Sequence, residues 1–265
     1  MCQLLALAFN EPVTPSLSFR GFRHRAKGNP HGWGLATFEG TKATIVKEPR
    51  QANDSAVVKS LLHDADLSST IFIGHVRYAS VGKASMQNTH PFVQNLNGRD
   101  LVLAHNGTLS RDEMKPLHTG RCLPAGTTDS ELALCILVEW LLDENVSLTD
   151  FERIHERLRT LNKCGKMNLL FSDGAHLFAY HDEAGYTGLC YTHREAPFEN
   201  VTLRDEDWSA NLSEEKKPTQ RGYVIATKAL TDGEKWTAFG PGALMVFKDG
   251  ESIYPKSTPR KRMNR

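Results

Sequence analysis

The feature that most constrains the fold is a series of short apolar runs, punctuated by turn residues, on either side of two apolar helical stretches. Cys2–Phe9, Gly34–Glu39, Ala43–Lys47, Thr70–Tyr78 and Asp100–His105 all have strand length. Lys166–Phe171 and His176–Tyr180 flank Ser-Asp-Gly, and Leu244–Lys248 and Ser252–Tyr254 flank Asp-Gly. Both arrangements predict antiparallel hairpins, because Asp and Gly tolerate the backbone that a tight turn needs. Three helices carry start signals. After Asn53–Ser55, the residues Val57, Val58, Leu61 and Leu62 share one face. Thr128 with Glu131 forms a capping box before Leu132, Ala133, Ile136, Leu137 and Trp140, and Thr149 with Glu152 repeats it before Phe151, Ile154, Leu158 and Leu161. The strands bracket the two central helices and do not alternate with helices one for one. The pattern therefore predicts an α+β fold with antiparallel sheets, not a βαβ series.

Composition removes several function classes. Lys+Arg minus Asp+Glu is 32 − 31 = +1, so no global field favours nucleic acid or an acidic membrane. The longest apolar tract, Leu132 to Leu142, is interrupted by Glu139 and falls short of the ~20 residues a membrane span needs. The 5 cysteines, Cys2, Cys122, Cys135, Cys164 and Cys190, are odd in number and include no Cys-x-x-Cys pair. That predicts neither a disulfide scaffold nor a structural zinc site. The 11 histidines show no metal-ligand spacing, and no phosphate loop or dinucleotide fingerprint occurs, so no metal and no cofactor are expected. The N-terminus lacks a basic segment followed by a cleavage site, which makes a reducing cytoplasm the expected compartment. Asp205–Gln220 is polar, contains Pro218 and reads as a surface loop. The catalytic unit is taken as 1–254, followed by a basic, disordered tail, 255–265, with Lys256, Arg260, Lys261, Arg262 and Arg265 and no acid.

Four segments carry chemistry. Removal of the start methionine would make Cys2 the first residue, with a thiol and a free α-amine on one carbon skeleton. An α-amine titrates near ~7.7–8.0 and a free thiol near ~8.5, so the amine can act as the adjacent base. Arg77 ends the run Ile73-Gly74-His75-Val76-Arg77-Tyr78-Ala79, where its planar fork suits a carboxylate. Asn106 and Gly107 follow a strand; the pair is either an ordinary turn or two donors to a developing oxyanion. Asp129 lies in the first turn of a helix, where the dipole alone explains a carboxylate and where it can also hold an ammonium. One ligand fits all four: an α-amino acid with a side-chain amide, such as glutamine or a γ-glutamyl compound.

The chain resembles the class-II glutamine amidotransferase domain of the N-terminal-nucleophile hydrolase superfamily, and in particular its stand-alone, YafJ-like members. The resemblance rests on Met1-Cys2, His31-Gly32-Trp33-Gly34, Gly74-His75-Val76-Arg77-Tyr78-Ala79, Asn88-Thr89-His90-Pro91-Phe92, His105-Asn106-Gly107 and Thr128-Asp129-Ser130-Glu131. Later matches are Met167–Gly174 and Arg194–Phe198. Each island is weak alone; their order and spacing are specific. The resemblance implies a four-layer αββα sandwich of two antiparallel sheets. It implies Cys2 as nucleophile with its own α-amine as base, Asn106 and Gly107 as the oxyanion hole, and Arg77 and Asp129 as clamps on the amino acid. His75, Tyr78 and His90 become supporting pocket residues, while Trp33 reads as core. Two departures stand out: Tyr78 replaces the tryptophan that many members have, and Gln3-Leu4-Leu5-Ala6 replaces the glycine-rich start.

The implied reaction is glutamine hydrolysis through a γ-glutamyl thioester, with ammonia and glutamate as products. The substrate is a small molecule, and a separate synthase protein is the candidate acceptor of the ammonia. One alternative is a γ-glutamyl peptide or amide hydrolase of thiol metabolism. Another, from a different class, is a non-catalytic interaction subunit that keeps the fold; intact Cys2, Asn106 and Asp129 speak against it.

Overall fold

The structure is a computed structural model that describes residues 2–25, 29–64, 66–78, 83–205 and 208–255. In chain order its elements are β1 (Gln3–Val13), α1 (Ser16–His24), β2 (Trp33–Glu39), β3 (Lys42–Glu48), α2 (Ala56–His63), β4 (Ser69–Val76), β5 (Phe92–Leu96), β6 (Arg99–Leu109), α3 (Arg111–Met114), α4 (Asp129–Asp143), α5 (Phe151–Asn162), β7 (Gly165–Ser172), β8 (Leu177–Tyr180), β9 (Cys190–Arg194), β10 (Asn200–Leu203), β11 (Ser209–Asn211), α6 (Leu212–Glu215), β12 (Gly222–Ala226), β13 (Thr231–Asp232), β14 (Thr237–Ala238), β15 (Leu244–Lys248) and β16 (Glu251–Tyr254).

Two antiparallel sheets dominate. One has seven strands in the order β14-β9-β12-β1-β4-β2-β3, and the other six in the order β16-β15-β8-β7-β6-β5. A small third sheet, β11-β10-β13, stands apart. Side chains alternate across a strand, so each strand feeds two layers. In β1, Leu4, Ala6 and Ala8 enter the layer between the sheets, with Ile71 and Ile73 of β4 and Val102 and Ala104 of β6. Leu5, Leu7 and Phe9 point the other way, onto Phe19 and Phe22 of α1 and Val58 of α2. On the far side, Leu101 and Leu103 of β6 and Leu169 and Phe171 of β7 pack against α4 and α5. Three apolar layers separate four structural ones, which is the αββα order. Strands buried on both faces explain why β1 and β6 read as continuous apolar runs. No helix among the described residues is long and apolar enough to cross a membrane.

Both predicted hairpins form, as β7–β8 and β15–β16. Ser55 caps α2 by accepting from the Val58 N–H, and Thr128 caps α4 by accepting from the Glu131 N–H. Five expectations need correction. Asn106 and Gly107 do not follow a strand but lie inside β6, paired with Asn168 and Met167 of β7. The reciprocal half of the Thr128–Glu131 capping box is absent, because the Glu131 carboxylate accepts instead from the backbone N–H groups of Ala125 and Gly126, at 3.0 and 2.7 Å. The cap of α5 is Asp150, not Thr149: the Asp150 carboxylate accepts the Arg153 N–H, while the Thr149 hydroxyl pairs with that of Ser147. The stretch read as the loop Asp205–Gln220 contains β11 and α6, because Ala210 and Leu212 bury against Leu17, Val201 and Leu203. Cys122 and Cys135 form a disulfide although no close Cys pair exists in sequence; the loop before α4 folds back to bring them together. The tail assigned to 255–265 lies outside the described residues apart from Pro255.

Candidate active site

The site arises where the layer between the sheets runs out of apolar side chains. On β1 the face carrying Leu4, Ala6 and Ala8 continues back to Cys2. On β4 the face carrying Ile71 and Ile73 continues through His75 to Arg77, and on β6 the face carrying Val102 and Ala104 continues to Asn106. Gln3 pairs with Val76 across β1 and β4, which sets Cys2 beside Arg77 and Tyr78. The cleft at this end is lined by Cys2, Arg77, Tyr78, His90, His105, Gly107, Thr128, Asp129 and Ser130. Residues up to 128 positions apart in sequence, from 2 to 130, thus share one opening.

The Cys2 thiol is held by one residue's backbone. Its S–H donates to the Tyr78 carbonyl, and the Tyr78 N–H donates to the sulfur, both at 3.2 Å. Burial raises the thiol pKa, opposed by the Tyr78 N–H and by the Arg77 guanidinium. A thiol in that state remains protonated at neutral pH and needs a base when it attacks. Arg77 is buried, and its own pKa is lowered by burial while Cys2 and Asp129 support its charge. Its backbone continues the β2–β4 pairing: the Arg77 N–H donates to the Gly32 carbonyl at 2.7 Å, and the His31 N–H donates to the Arg77 carbonyl at 3.2 Å. The His31-Gly32-Trp33-Gly34 island therefore positions the arginine. Trp33 is fully buried in the α1 layer, as core. Tyr78 is 47% exposed, with its ring edge-on to His31 at 5.4 Å.

Asp129, the first residue of α4, accepts the Leu109 N–H at 2.7 Å, so its carboxylate also ties the end of β6 to the helix. Gly107 is demanded by space. A Cβ there would strike the Lys166 carbonyl on β7 and lie 2.5 Å from His105 Nε2. Asn106 is buried one residue back from the cleft lining, and its amide Nδ2 donates to Thr187 Oγ1 at 3.1 Å.

Histidines form a neutral wall. His75 lies behind the cleft, fully buried, and stacks on His90 with centroids 4.0 Å apart. Its Nε2 donates to the His105 carbonyl at 3.1 Å. Burial first, then the neighbouring His105, pushes its pKa down to about 3. His90 is held well below its ordinary value by burial and by His75, His105, Arg77 and Lys47. Gly34 admits the His90-Pro91 backbone, which any Cβ at that position would strike. Lys47 pins the same segment by donating to the carbonyls of Thr89 and Pro91 at 2.7 and 3.2 Å. Sequence reasoning gave no site role to His105, Thr128 or Ser130, all of which line the cleft. His105 Nε2 donates to the Lys166 carbonyl at 3.1 Å, which leaves Nδ1 to accept the Ser130 hydroxyl at 2.9 Å. Burial lowers the His105 pKa as well. The signal was present, since His105 and Ser130 lie in the matched islands, but only the fold makes them partners.

Neutral buried histidines tie stability to pH. For His75 the unfolded imidazole titrates near ~6.5 and the folded one at about 3. The unfolded chain binds the extra proton between those values, so stability is full above the unfolded pKa and falls as pH drops below it. From pH 7 to 5 the expected loss from a histidine this strongly shifted is about 2 kcal/mol. His90 and His105 act in the same direction. Unfolding midpoints at pH 7 and pH 5 should differ in wild type, and the gap should narrow in His75→Gln, with the remainder left to His90 and His105; equal wild-type midpoints would contradict a neutral wall.

With this geometry in place, comparisons with known proteins decide the family. The model for class-II glutamine amidotransferases matches residues 1–265. The chain belongs to the class-II glutamine amidotransferases. YafJ of Escherichia coli (strain K12) is 36% identical over 96% of this chain and 100% of its own. A crystal structure from Pseudomonas aeruginosa PA01, described as a predicted glutamine amidotransferase, superposes with TM-score 0.70 at 31% identity, covering 95% of this chain and 99% of that one. Glutamine phosphoribosylpyrophosphate amidotransferase of B. subtilis superposes with TM-score 0.65 at 17% identity, over 95% of this chain and 48% of that one. That likeness concerns the fold, which is the N-terminal-nucleophile hydrolase fold.

Proposed function

We propose that this family member hydrolyses the side-chain amide of glutamine, with Cys2 as nucleophile after removal of Met1. The observation that carries the reading is the single cleft lined by Cys2, Arg77, Gly107 and Asp129. Arg77 takes the α-carboxylate through its guanidinium fork and Asp129 takes the α-ammonium. The Cys2 α-amine accepts the thiol proton as sulfur attacks the amide carbon. The resulting oxyanion is held by the Asn106 amide and the Gly107 N–H. The amine returns its proton to the leaving nitrogen, the C–N bond breaks, and ammonia departs from a γ-glutamyl thioester. Water, deprotonated by the same amine, attacks the thioester; glutamate leaves and the thiol is restored. The ammonia goes to water or to an acceptor site on a separate synthase protein. The neutral histidine wall leaves Arg77 as the cation facing the substrate carboxylate. The reaction requires Cys2 as a free thiol, which is its state in a structure that also holds the Cys122–Cys135 disulfide.

The test is ammonia and glutamate release by the purified protein, compared across glutamine, asparagine and γ-glutamyl amides and peptides. Turnover of glutamine above asparagine supports the reading. Turnover of γ-glutamyl peptides alone would replace glutamine with them, and turnover of none would overturn hydrolysis. Asp129→Asn separates clamp from scaffold, because it keeps an acceptor for the Leu109 N–H and loses only the charge. It should raise KM for glutamine on the order of 100-fold, about 2.7 kcal/mol, while the unfolding midpoint stays close to wild type. An unchanged KM would show that Asp129 serves the helix alone.

A further inference from the structure

The link from β8 to β9 crosses from the six-stranded sheet to the seven-stranded one. Within it, Gly185, Thr187 and Gly188 have left-handed backbones, with φ of 73°, 56° and 79°. Glycine adopts that conformation without cost; a β-branched threonine is strained there. Its hydroxyl has a defined task that the strain serves. Asn106 and Asn168 are direct partners across β6 and β7, and both belong to the face that lines the layer between the sheets. Each donates an Nδ2 hydrogen to Thr187 Oγ1, at 3.1 Å in both cases.

Asn168 has no freedom left. Its Nδ2 also donates to the Tyr186 carbonyl at 2.8 Å, and its Oδ1 accepts the Asp182 N–H at 2.9 Å. Asp182 is buried, and its carboxylate accepts the N–H groups of Met167, Ala184 and Tyr186. This fixes the loop against β7. Thr187 Oγ1 has two lone pairs, and the two amides fill both. Asn106 is less tied than Asn168: Thr187 takes one of its two Nδ2 hydrogens, and the other has a donor's capacity to spare.

We propose that Thr187 is the positioning residue of the oxyanion site. By accepting one Asn106 hydrogen it fixes the amide plane and presents the other to the carbonyl oxygen that becomes negative during attack. This deepens the amide-hydrolase reading and depends on it. A hydroxyl acting this way matters to the transition state and little to ground-state binding, so its loss appears in kcat.

The decisive variant is Thr187→Gly, which removes the hydroxyl and relieves the backbone. The expected result is a 10–100-fold fall in kcat for glutamine with KM within about threefold of wild type and an undiminished unfolding midpoint. Thr187→Ser keeps the hydroxyl and should stay within about threefold of wild type in both constants. Side-chain amide 1H–15N NMR gives a readout independent of turnover: the Asn106 and Asn168 resonances should shift together in Thr187→Gly and hold in Thr187→Ser. Wild-type kcat in Thr187→Gly, or amide resonances that ignore the substitution, would overturn the proposal while the hydrolase reading stands. A wild-type protein inactive on every amide overturns that reading, and the positioning role with it.

Discussion

Cys2→Ala is expected to lower ammonia release by a factor on the order of 10⁴ or more, because loss of a covalent nucleophile is among the largest single-residue effects in catalysis. The fold should survive. Cys2 precedes β1, and its side chain makes hydrogen bonds to the Tyr78 backbone at the cleft, not core contacts. Cys2→Ser is the stricter variant: it keeps a hydrogen-bonding atom at the same place and should still be inactive, because an alcohol is a far weaker nucleophile than a thiol at the pKa of the adjacent amine. Steady-state ammonia assays on both proteins, with their unfolding midpoints, check this. Retained turnover in Cys2→Ala would refute the nucleophile.

Gly107→Ala is expected to damage stability and activity together. The new methyl would meet the Lys166 carbonyl and the His105 ring, so β6 and β7 must part next to the site. Overpacking of this kind costs about 1–3 kcal/mol, and backbone on one side of the clash points to the upper end. At about 2–4 °C per kcal/mol for a chain of this size, the midpoint should fall by roughly 6–12 °C. Activity should fall further than stability accounts for, since the same shift displaces the two oxyanion donors proposed at Asn106 and Gly107. Calorimetry and turnover on one preparation decide it; a wild-type midpoint would mean that the strands are not packed this closely.

How much of this was legible in the sequence follows physical lines. The central strands β1, β4 and β6 are buried on both faces, so their long apolar runs announced them. α4 was visible through Thr128, whose hydroxyl caps it. α1 was not: it follows Pro15 with no side-chain cap, and its apolar residues Leu17, Phe19 and Phe22 gave no start signal. Short edge strands such as β13 and β14, two residues each, carry no period to detect. At the site, Cys2, Arg77, Gly107 and Asp129 could be named because each type has one chemistry that fits an amino-acid amide. The Thr187–Asn106 contact spans 81 residues, the Cys122–Cys135 pairing depends on how a loop folds back, and the His105–Ser130 bond requires a strand to lie under a helix. No local pattern encodes such pairings; they follow from the stacking of the two sheets.

The central claim is that a sulfur and a free amine occupy the first residue of the processed chain. Intact-mass spectrometry of the purified protein, before and after treatment with a glutamine-like electrophile, tests both halves at once. The account predicts a mass lacking the start methionine, then a single adduct that fragmentation places on Cys2 and that Cys2→Ala does not acquire. A retained methionine, or an adduct on Cys164 or Cys190 in place of Cys2, would contradict it.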